Sequence, residues 1–213
     1  MISEKKYVGF DVCGTLFDSN TTFDFIQYLY DKGYVSFNIA YIRSLPFKVI
    51  NKLSLSICDF DLVKYLSIRL LKGIEKKTLY RWSEEFYDNY LVHRKIERVH
   101  TLMNTYKEMN AHIYFISATI DCVAQIVSNR LGADTVVSSQ LQYDNGIATG
   151  YLKKDIYGNK HSLFTHQFDC YVSDNFNDLE LLTSSKDYVI VSKQKDISYW
   201  ESVLPKKFDR IIL

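Results

Sequence analysis

The sequence predicts an α/β protein with a doubly wound parallel sheet, interrupted after its first strand by an inserted helical cap. After about residue 96, short apolar segments rich in β-branched and aromatic residues alternate with segments of helical periodicity, which is typical of a parallel sheet covered by helices. One further segment of strand composition stands alone at residues 7–10. Because the intervening residues have helical spacing almost throughout, we predict a core formed by residues 1–16 and 97–213 and a cap formed by residues 17–96.

Composition limits the class of protein and its compartment. The chain has 213 residues, of which 26 are basic and 25 acidic, so it is long enough for one domain with an insertion and lacks the charge for bulk nucleic-acid binding. Its four cysteines are scattered without a metal-binding pair, which favours free thiols in a reducing compartment. The first residues lack the apolar segment of a signal peptide, and no apolar run approaches a membrane span. The expected location is therefore cytoplasmic.

The first predicted strand ends in a carboxylate. Residues 7–10 are apolar, Asp11 follows them, and Gly14 and Thr15 come within the next turn. Open α/β sheets bind ligands at the carboxyl ends of their strands, and a glycine lets a ligand approach the backbone closely. Asp11 is therefore a candidate site residue. The alternative, from this segment alone, is an aspartate in a surface loop.

The first part of the predicted cap contains one helix and one long apolar segment. Thr21 or Thr22 is expected to cap the helix. Residues 34–57 are apolar with three interspersed basic residues, and Pro46 is expected to break or kink any helix there. An amphipathic helix packed on its neighbours is the favoured interpretation of this segment. A surface that binds a membrane or a lipid-linked phosphate is the weaker alternative.

The remaining elements follow in order along the chain. Asp59 or Asp61 is expected to cap a helix over residues 62–71, and residues 76–90 continue with helical periodicity. The predicted core elements are a helix at 97–110, a strand at 112–117, a helix at 120–131 ended by Gly132, a strand at 135–137, a hairpin at 141–152 with its turn at 144–146, a helix from 160 to 165, a strand at 170–172, a helix at 179–182, and strands at 188–191 and 210–213.

Polar residues stand at the ends of several of these elements. Asp11 and Ser117 each follow a predicted strand, Lys160 begins a predicted helix, and Asp174 and Asp178 follow a third strand. If the strands are parallel neighbours, these residues meet in one crevice. Carboxylates there suit a magnesium ion, whereas a serine, a lysine and a helix N-terminus suit a phosphate. Together they describe phosphoryl transfer to a carboxylate nucleophile.

Each of these residues also has an ordinary structural interpretation. Ser117 has the residue type and position of a helix N-cap. Lys160 is by default a solvated charge. Asp174 and Asp178 are favourable at any helix N-terminus. Their order and their positions after strands make the set more specific than its members.

At this point the chain resembles the haloacid dehalogenase (HAD) superfamily of phosphohydrolases over nearly its whole length. Residues 11–16, with the sequence DVCGTL, resemble the first motif, which implies that Asp11 is the nucleophile that forms an aspartyl-phosphate. Ser117 resembles the phosphate-binding residue of the second motif, and Lys160 the lysine of the third. The segment SDNFND resembles the fourth motif, in which Asp174 would bind magnesium and Asp178 would hold a metal-bound water or orient Lys160.

The resemblance implies a Rossmann-like core, a Mg²⁺ cofactor and a small phosphate monoester as substrate. The position of the cap and the DNGIATG hairpin are most similar to the branch that contains phosphoserine phosphatase. The implied phosphate-binding residues are Gly14, Thr15, Ser117, Ala118 and Lys160, and the implied metal ligands are Asp11, Cys13 through its carbonyl, Asp174 and Asp178.

One departure from the family pattern concerns acid–base chemistry. Phosphatases of this family have a second aspartate two residues after the nucleophile, where this chain has Cys13. General acid–base catalysis contributes about 10²–10⁴ in rate, and a thiol with a pKa of ~8.5 can donate a proton but is a slow base near neutrality. The structural alternative, which we favour, is that Cys13 is a small buried packing residue.

A second departure concerns the substrate. Phosphoserine phosphatases place an acidic residue shortly after the first motif to bind the substrate's amino group, and the matching position here is Asn20. An amide cannot neutralise an ammonium, which argues against phosphoserine, although Asp18 and Asp24 are close in sequence.

Three functions fit these observations. The leading hypothesis is a magnesium-dependent phosphatase in which acid–base function is attenuated at Cys13. The second is a phosphotransferase, or an enzyme with a long-lived aspartyl-phosphate. The third is a catalytically weak phosphate-binding protein; retention of Asp11, Lys160 and Asp178 together argues against it, because binding alone does not need all three.

Overall fold

Seven strands form one sheet in the computed structural model, which describes residues 5–42, 44, 50–52, 61–205 and 208–213. The sheet has the order β4-β3-β2-β1-β5-β6-β7, and every neighbouring pair is parallel except the β3–β4 hairpin. The predicted α/β fold with a doubly wound, mostly parallel sheet is thus confirmed. The strands are β1 (Tyr7–Phe10), β2 (His112–Ile120), β3 (Thr135–Asp144), β4 (Ile147–Lys154), β5 (Cys170–Ser173), β6 (Asp187–Ser192) and β7 (Asp209–Ile212).

Helices flank the sheet and fill the segment between β1 and the rest of the core. Residues 50–52 are also helical, and four short 3₁₀ turns span Leu91–Arg94, His161–Leu163, Phe176–Asp178 and Gln194–Asp196. In chain order the helices are α1 (Thr21–Asp31), α2 (Ile39–Ile42), α3 (Leu62–Arg69), α4 (Lys76–Asn89), α5 (Glu97–Glu108), α6 (Asp121–Leu131), α7 (Leu179–Ser184) and α8 (Ile197–Val203). Helices α1–α4 occupy the predicted cap; the exact division of the chain into cap and core stays a prediction.

Strand β1 lies at the centre of the sheet between β2 and β5. Its apolar residues Val8 and Phe10 are completely buried, as expected for a strand covered on both faces. Phe10 is paired with Phe115 of β2 and with Val172 of β5. The residues that follow these three positions therefore emerge together at the carboxyl edge of the sheet, where the candidate site residues lie.

The N-terminus of α1 differs from the prediction. Asn20 is the N-cap, and its side chain accepts a hydrogen bond from the backbone N–H of Phe23. Thr21 and Thr22 lie inside the helix, so the prediction of a threonine cap is wrong. The physical reason is tertiary: Thr21 Oγ1 lies 2.6 Å from Thr119 Oγ1, and Thr22 Oγ1 accepts from the N–H of Ile120 at 3.2 Å.

The remaining predictions for the segment between β1 and α5 are only partly confirmed. Asp61 caps α3 as predicted, accepting from the N–H of Lys64 at 2.9 Å. Asp59 and Pro46 lie outside the described residues, as does part of the apolar segment at 34–57. Within that segment, Tyr34 stacks on Trp82 of α4 with ring centroids 4.4 Å apart, but Tyr34 precedes the helical residues Ile39–Ile42. The interpretation as an amphipathic helix stays a prediction.

Two core elements differ in length from the predictions. Strand β2 continues past Ser117 to Ile120 through a register shift, and α6 begins only at Asp121. Ser117 lies inside β2, and the predicted helix follows it, beginning at Asp121 rather than at 120. A β-bulge accommodates the residues between Ser117 and the helix, so Ser117 is not a helix N-cap. The predicted helix at 160–165 is a single 3₁₀ turn, His161–Leu163.

The hairpin between β3 and β4 is confirmed. Asn145 and Gly146 both have positive φ, +47° and +81°, the combination that a two-residue type I′ turn requires. Three of the four cysteines, Cys13, Cys122 and Cys170, fall within the described residues, and all three are free thiols as expected. None of the helices in the described part of the chain has the length and apolar character needed to cross a membrane.

Candidate active site

Asp11 follows the central strand β1 and is only 2% exposed. Its own N–H donates to the carbonyl of Val172 in β5 at 2.9 Å, and its Oδ1 accepts from the N–H of Val12 at 2.6 Å. Its Oδ2 lies 2.8 Å from Nζ of Lys160. Burial raises the pKa of Asp11 and the ammonium opposes that effect. Each carboxylate oxygen thus has one partner, and the backbone of Asp11 is fixed separately by β5.

Lys160 joins Asp11 to a second carboxylate. Its Nζ lies 2.8 Å from Oδ2 of Asp178 as well, and both side chains are almost fully buried. Burial alone would lower the pKa of Lys160, but the two carboxylates raise it above its ordinary value. Asp178 Oδ2 also accepts from Tyr171 at 3.1 Å and from Ser173 at 2.7 Å. Lys160 is therefore a charged, fixed group, and Asp178 is the residue that orients it.

Asp174 follows β5, the strand next to β1. The hydroxyl of Thr15 donates to Asp174 Oδ1 at 2.8 Å, and the N–H of Asp174 donates to Thr15 Oγ1 at 3.0 Å. Burial and the nearby charge of Asp11 raise the pKa of Asp174 to about 7. The two predicted carboxylates at the ends of adjacent strands are thus close enough to affect each other's ionisation.

Gly14 makes this arrangement possible. Its φ is +68°, and a β-carbon built on it would lie 2.6 Å from Cγ of Asp174 and closer still to Oδ2. A side chain at this position would be strained and would displace the carboxylate. The glycine predicted for close approach to a ligand is in fact required for close approach to Asp174.

Cys13 lies among hydroxyl groups. Its Sγ is 2.8 Å from Thr21 Oγ1, 3.2 Å from Thr119 Oγ1 and 3.9 Å from Ser117 Oγ. Cys13 is half-buried, and it faces polar groups rather than the apolar neighbours of an ordinary packing cysteine. Burial and the charge of Asp11 raise the pKa of the Cys13 thiol, so it stays protonated near neutral pH.

A cavity of about 200 Å³ brings the predicted residues together. Asp11, Cys13, Ser117, Ala118 and Lys160 all lie in its wall, whereas the other two predicted phosphate-binding residues, Gly14 and Thr15, do not. Sequence reasoning considers Asn20, Thr22 and Asp61 only for other roles, and it does not predict Thr119 because the expected strand ends at Ser117. The other lining residues are Asn20, Thr22, Phe23, Asp61, Lys64, Thr119, Tyr157 and Asn175.

The acidic residues considered for an amino-group site lie on the other side of Cys13. Asp18, Asn20 and Asp24 line a second, more open cavity, which also reaches Asp174. Asp24 accepts a hydrogen bond from Ser19 Oγ at 2.7 Å. Asn20 lines both cavities, but its side chain caps α1.

The charges at the site favour a cation. Lys160 supplies one ammonium to Asp11 and Asp178, and the carboxylate of Asp174 lies close enough to Asp11 for the charge of Asp11 to help raise the pKa of Asp174 to about 7. A cation bound between Asp11 and Asp174 would relieve that repulsion. Within the described residues no three histidine, cysteine or acidic side chains are grouped closely enough to bind a metal on their own. Two carboxylate donors supplemented by main-chain and substrate oxygens are nevertheless the usual surroundings of Mg²⁺. The donor set fits that ion.

The sheet and the carboxylates at its carboxyl edge define the class of this protein, a hydrolytic α/β enzyme with helices inserted after the first strand. The model of the haloacid dehalogenase-like hydrolase family matches residues 8–183. The chain belongs to that family, which confirms the resemblance found in the sequence. Among curated proteins, none matches the chain.

Solved structures share the fold. A protein of unknown function from Bordetella pertussis Tohama I superposes with a TM-score of 0.74 at 14% identity, covering 98% of this chain and 99% of that one. A phosphoserine phosphatase solved as a phospho-aspartyl intermediate analogue has a TM-score of 0.60 at 15% identity, covering 97% and 96%. The phosphoserine phosphatase from T. onnurineus has 0.59 at 18%, covering 97% and 89%. At these identities the similarity establishes a fold of the phosphoserine-phosphatase type.

Proposed function

We propose that this protein is a magnesium-dependent phosphohydrolase that cleaves a small phosphate monoester through an aspartyl-phosphate on Asp11. The main support is the contact between Asp11 Oδ2 and Lys160 Nζ at 2.8 Å, in the wall of a cavity that also contains Ser117. A nucleophilic carboxylate needs a nearby cation, both to stay ionised when buried and to offset the charge of the incoming phosphate.

In the first half of the reaction, an oxygen of Asp11 attacks phosphorus and the bond from phosphorus to the leaving oxygen breaks. The ammonium of Lys160 and the hydroxyl of Ser117 hold the non-bridging oxygens, since both groups lie in the same cavity wall as Asp11. Asp178 keeps Lys160 charged and oriented. In the second half, water attacks the aspartyl-phosphate, which releases inorganic phosphate and restores the carboxylate.

Mg²⁺ would be held by the carboxylates of Asp11 and Asp174 and by the main-chain carbonyl of Cys13. When bound, the ion neutralises the repulsion between the phosphate and these carboxylates. The hydrogen bond from Thr15 holds one oxygen of Asp174 and leaves the other for a ligand. Asp178, which already accepts from Lys160, Tyr171 and Ser173, is better suited to orient the lysine than to hold a metal-bound water.

Cys13 is expected to be a poor replacement for the aspartate of the family pattern. A half-buried thiol with a raised pKa can donate a hydrogen bond to the leaving oxygen, but it does not accept a proton from water. Hydrolysis of the aspartyl-phosphate is therefore expected to be slow. This same observation favours a second candidate function, a phosphotransferase that passes the phosphoryl group to an acceptor alcohol.

The test is a phosphate-release screen over metabolite phosphates with Mg²⁺, comparing the natural protein with Asp11→Asn. The expected result is turnover that disappears in Asp11→Asn and after chelation of the metal. The matched control is Asp144→Asn at the exposed hairpin turn, which should behave like the natural protein. Turnover that survives in folded Asp11→Asn contradicts the proposal.

Trapping of label distinguishes the two candidate functions. Acid quenching during turnover should show labelled phosphate on Asp11. If an acceptor alcohol accelerates loss of the label, the protein is a phosphotransferase; if loss is equal with and without acceptors, it is a phosphatase. Magnesium-dependent binding without any labelling would instead favour a phosphate-binding protein. The expected cytoplasmic location stays a prediction, consistent with the free thiols.

A further inference from the structure

Another cavity, distinct from the open one that reaches Asp174, adjoins the candidate active site. It has a volume of about 410 Å³ and lies between α3 and the β4 strand. Asp61, Lys64 and Tyr157 line both this cavity and the catalytic one, so the two share a wall. The catalytic cavity, at about 200 Å³, is small for a whole substrate, because ligand sites commonly have ~300–1,000 Å³. The more open cavity that reaches Asp174 also adjoins the catalytic one, but three acidic side chains, Asp18, Asp24 and Asp174, line it. An uncharged group esterified to the phosphate is therefore better accommodated in the cavity between α3 and β4.

The wall of this adjoining cavity is rich in aromatic rings. Tyr65 of α3 and Tyr151 of β4 lie with ring centroids 6.1 Å apart, and the guanidinium of Arg69 lies 4.5 Å from the ring of Tyr151. Tyr151 and Tyr157 are each 44% exposed. Ile68 and Leu152 supply aliphatic surface between them. Partly exposed rings arranged around an apolar floor are suited to contact another ring.

One ion pair lies in the wall of this cavity. Lys64 Nζ lies 2.7 Å from Asp155 Oδ1, and the same oxygen accepts from Ser139 at 2.8 Å. Lys64 also lies 5.6 Å from the ring centroid of Tyr157. Among the described lining residues Lys64 is the one cation, and two aspartates, Asp61 and Asp155, accompany it. A leaving group with a carboxylate or a second phosphate is therefore disfavoured, whereas a neutral one is accommodated.

The catalytic residues impose a separate requirement on the leaving group. With Cys13 in place of a carboxylic acid, protonation of the leaving oxygen is weakly assisted. A phenol, with a pKa near 10 as in tyrosine, departs as its anion far more readily than an aliphatic alcohol does. An aromatic alcohol thus satisfies both the ring-lined cavity and the thiol at Cys13.

We infer that the substrate is a phosphate monoester of a neutral aromatic alcohol, whose ring occupies the cavity lined by Tyr65, Tyr151 and Tyr157. This inference rests on the proposed phosphohydrolase function. In the reaction, Asp11 forms a bond to phosphorus as the bond from phosphorus to the aryl oxygen breaks, and the electron pair leaves on that oxygen. The phenolate takes a proton from solvent. Water then cleaves the aspartyl-phosphate to give inorganic phosphate and free Asp11.

Kinetics with three substrates test the inference. Phenyl phosphate has the ring, acetyl phosphate has a good leaving group without a ring, and ethyl phosphate has neither. We expect kcat/KM for phenyl phosphate to exceed that for ethyl phosphate, and the comparison with acetyl phosphate isolates the contribution of the ring. In Tyr151→Ala, the ratio of kcat/KM for phenyl phosphate to that for acetyl phosphate should fall roughly tenfold, as for the loss of one aromatic contact. In the control Tyr41→Ala, which alters a tyrosine that is 67% exposed outside both cavities, the ratio should not change.

Binding of phosphonates separates failure of this inference from failure of the proposed function. Phenylphosphonate should bind more tightly than methylphosphonate or cyclohexylphosphonate in calorimetry with Mg²⁺, and Tyr151→Ala should remove the preference. If none of the three phosphates is hydrolysed while this preference persists, the proposed hydrolase function fails but the inferred binding site for an aromatic ring is retained. Hydrolysis of acetyl phosphate that requires Asp11, together with equal affinity for all three phosphonates, overturns the inference and keeps the function.

Discussion

Thr15 and Asp174, which are 159 residues apart in the sequence, are joined by two hydrogen bonds, one in each direction. The threonine hydroxyl donates to the carboxylate and accepts from the backbone N–H of the same aspartate. This pair connects the loop after β1 to the loop after β5, and it holds Asp174 beside the nucleophile. The candidate metal site therefore depends on the exact course of the backbone around Gly14.

Gly14→Ala should damage the site more than the fold. Because φ is +68° and a β-carbon would overlap the carboxylate of Asp174, we expect a loss of about 1–2 kcal/mol in the free energy of unfolding from backbone strain and, in addition, a large loss of magnesium-dependent activity. Gly33→Ala is the matched control, since its φ is +74° and a β-carbon there meets nothing within 4 Å. Chemical denaturation and activity should be measured on both. Similar activity losses in the two variants would contradict the proposed role of Gly14.

Lys160→Met should destabilise the protein strongly in the absence of metal. The substitution leaves Asp11 and Asp178 buried without their shared cation, and breaking a buried ion pair in this way costs about 3–5 kcal/mol. Lys186→Met is the control, because its pair with Asp169 is exposed to solvent and should contribute no more than about 1 kcal/mol. Urea denaturation with a chelator present gives both values. Equal, small losses would mean that Lys160 does not neutralise these carboxylates.

Cys13→Asp should raise the turnover of an alkyl phosphate such as ethyl phosphate. The substitution supplies the acid and base that the thiol lacks, and acid–base catalysis is worth up to about 10²–10⁴ in rate. The expected gain is smaller for acetyl phosphate, whose leaving group needs little protonation. Cys13→Ser is the control, because a hydroxyl keeps the contacts with Thr21 and Thr119 without acting as a base. If folded Cys13→Asp gains nothing, Cys13 is not the limiting defect.

Stability should fall in mildly acidic solution because of His100. Its Nε2 lies 2.9 Å from the carbonyl oxygen of Leu16, and burial lowers the pKa of His100 below its ordinary value. Below about pH 6.5, the usual pKa of an unfolded-chain histidine, His100 therefore binds a proton in the unfolded chain more readily than in the folded chain. The free energy of unfolding should therefore decrease as the pH falls through about 6.5, by at most ~1.4 kcal/mol per pH unit from this group.

The control for this effect compares two histidines. Denaturation curves between pH 8 and pH 5 should show a smaller slope in His100→Asn than in the natural protein, whatever the absolute stability of the variant. His93→Asn, at an exposed position, should keep the natural slope. If the free energy of unfolding of His100→Asn changes with pH as it does in the natural protein, groups other than His100 cause the acid sensitivity.

The sequence by itself determined the class of sheet and the position of the residues that line its carboxyl edge. Asp11 and Asp174 could be placed near each other because parallel strands end at the same edge, so a polar residue after a strand has a predictable location. Lys160 follows no parallel strand, and its assignment to the site depends on its resemblance to the third motif of the family. Gly14 could be found because its residue type limits the backbone conformations available. Each of these predictions depends only on residues that are close together in the sequence.

Only the tertiary structure decided which partners the polar side chains take. Thr21 has the residue type of a helix cap, yet its hydroxyl contacts Thr119 from a distant strand, and Asn20 becomes the cap instead. Ser117 lies in a strand because a bulge lengthens β2. Tyr151 and Lys64 line a cavity beside the site because the β4 strand packs against α3. The residue type indicates which contacts a side chain is able to make. Which of these contacts it does make depends on groups that are distant in sequence and come close only when the chain folds.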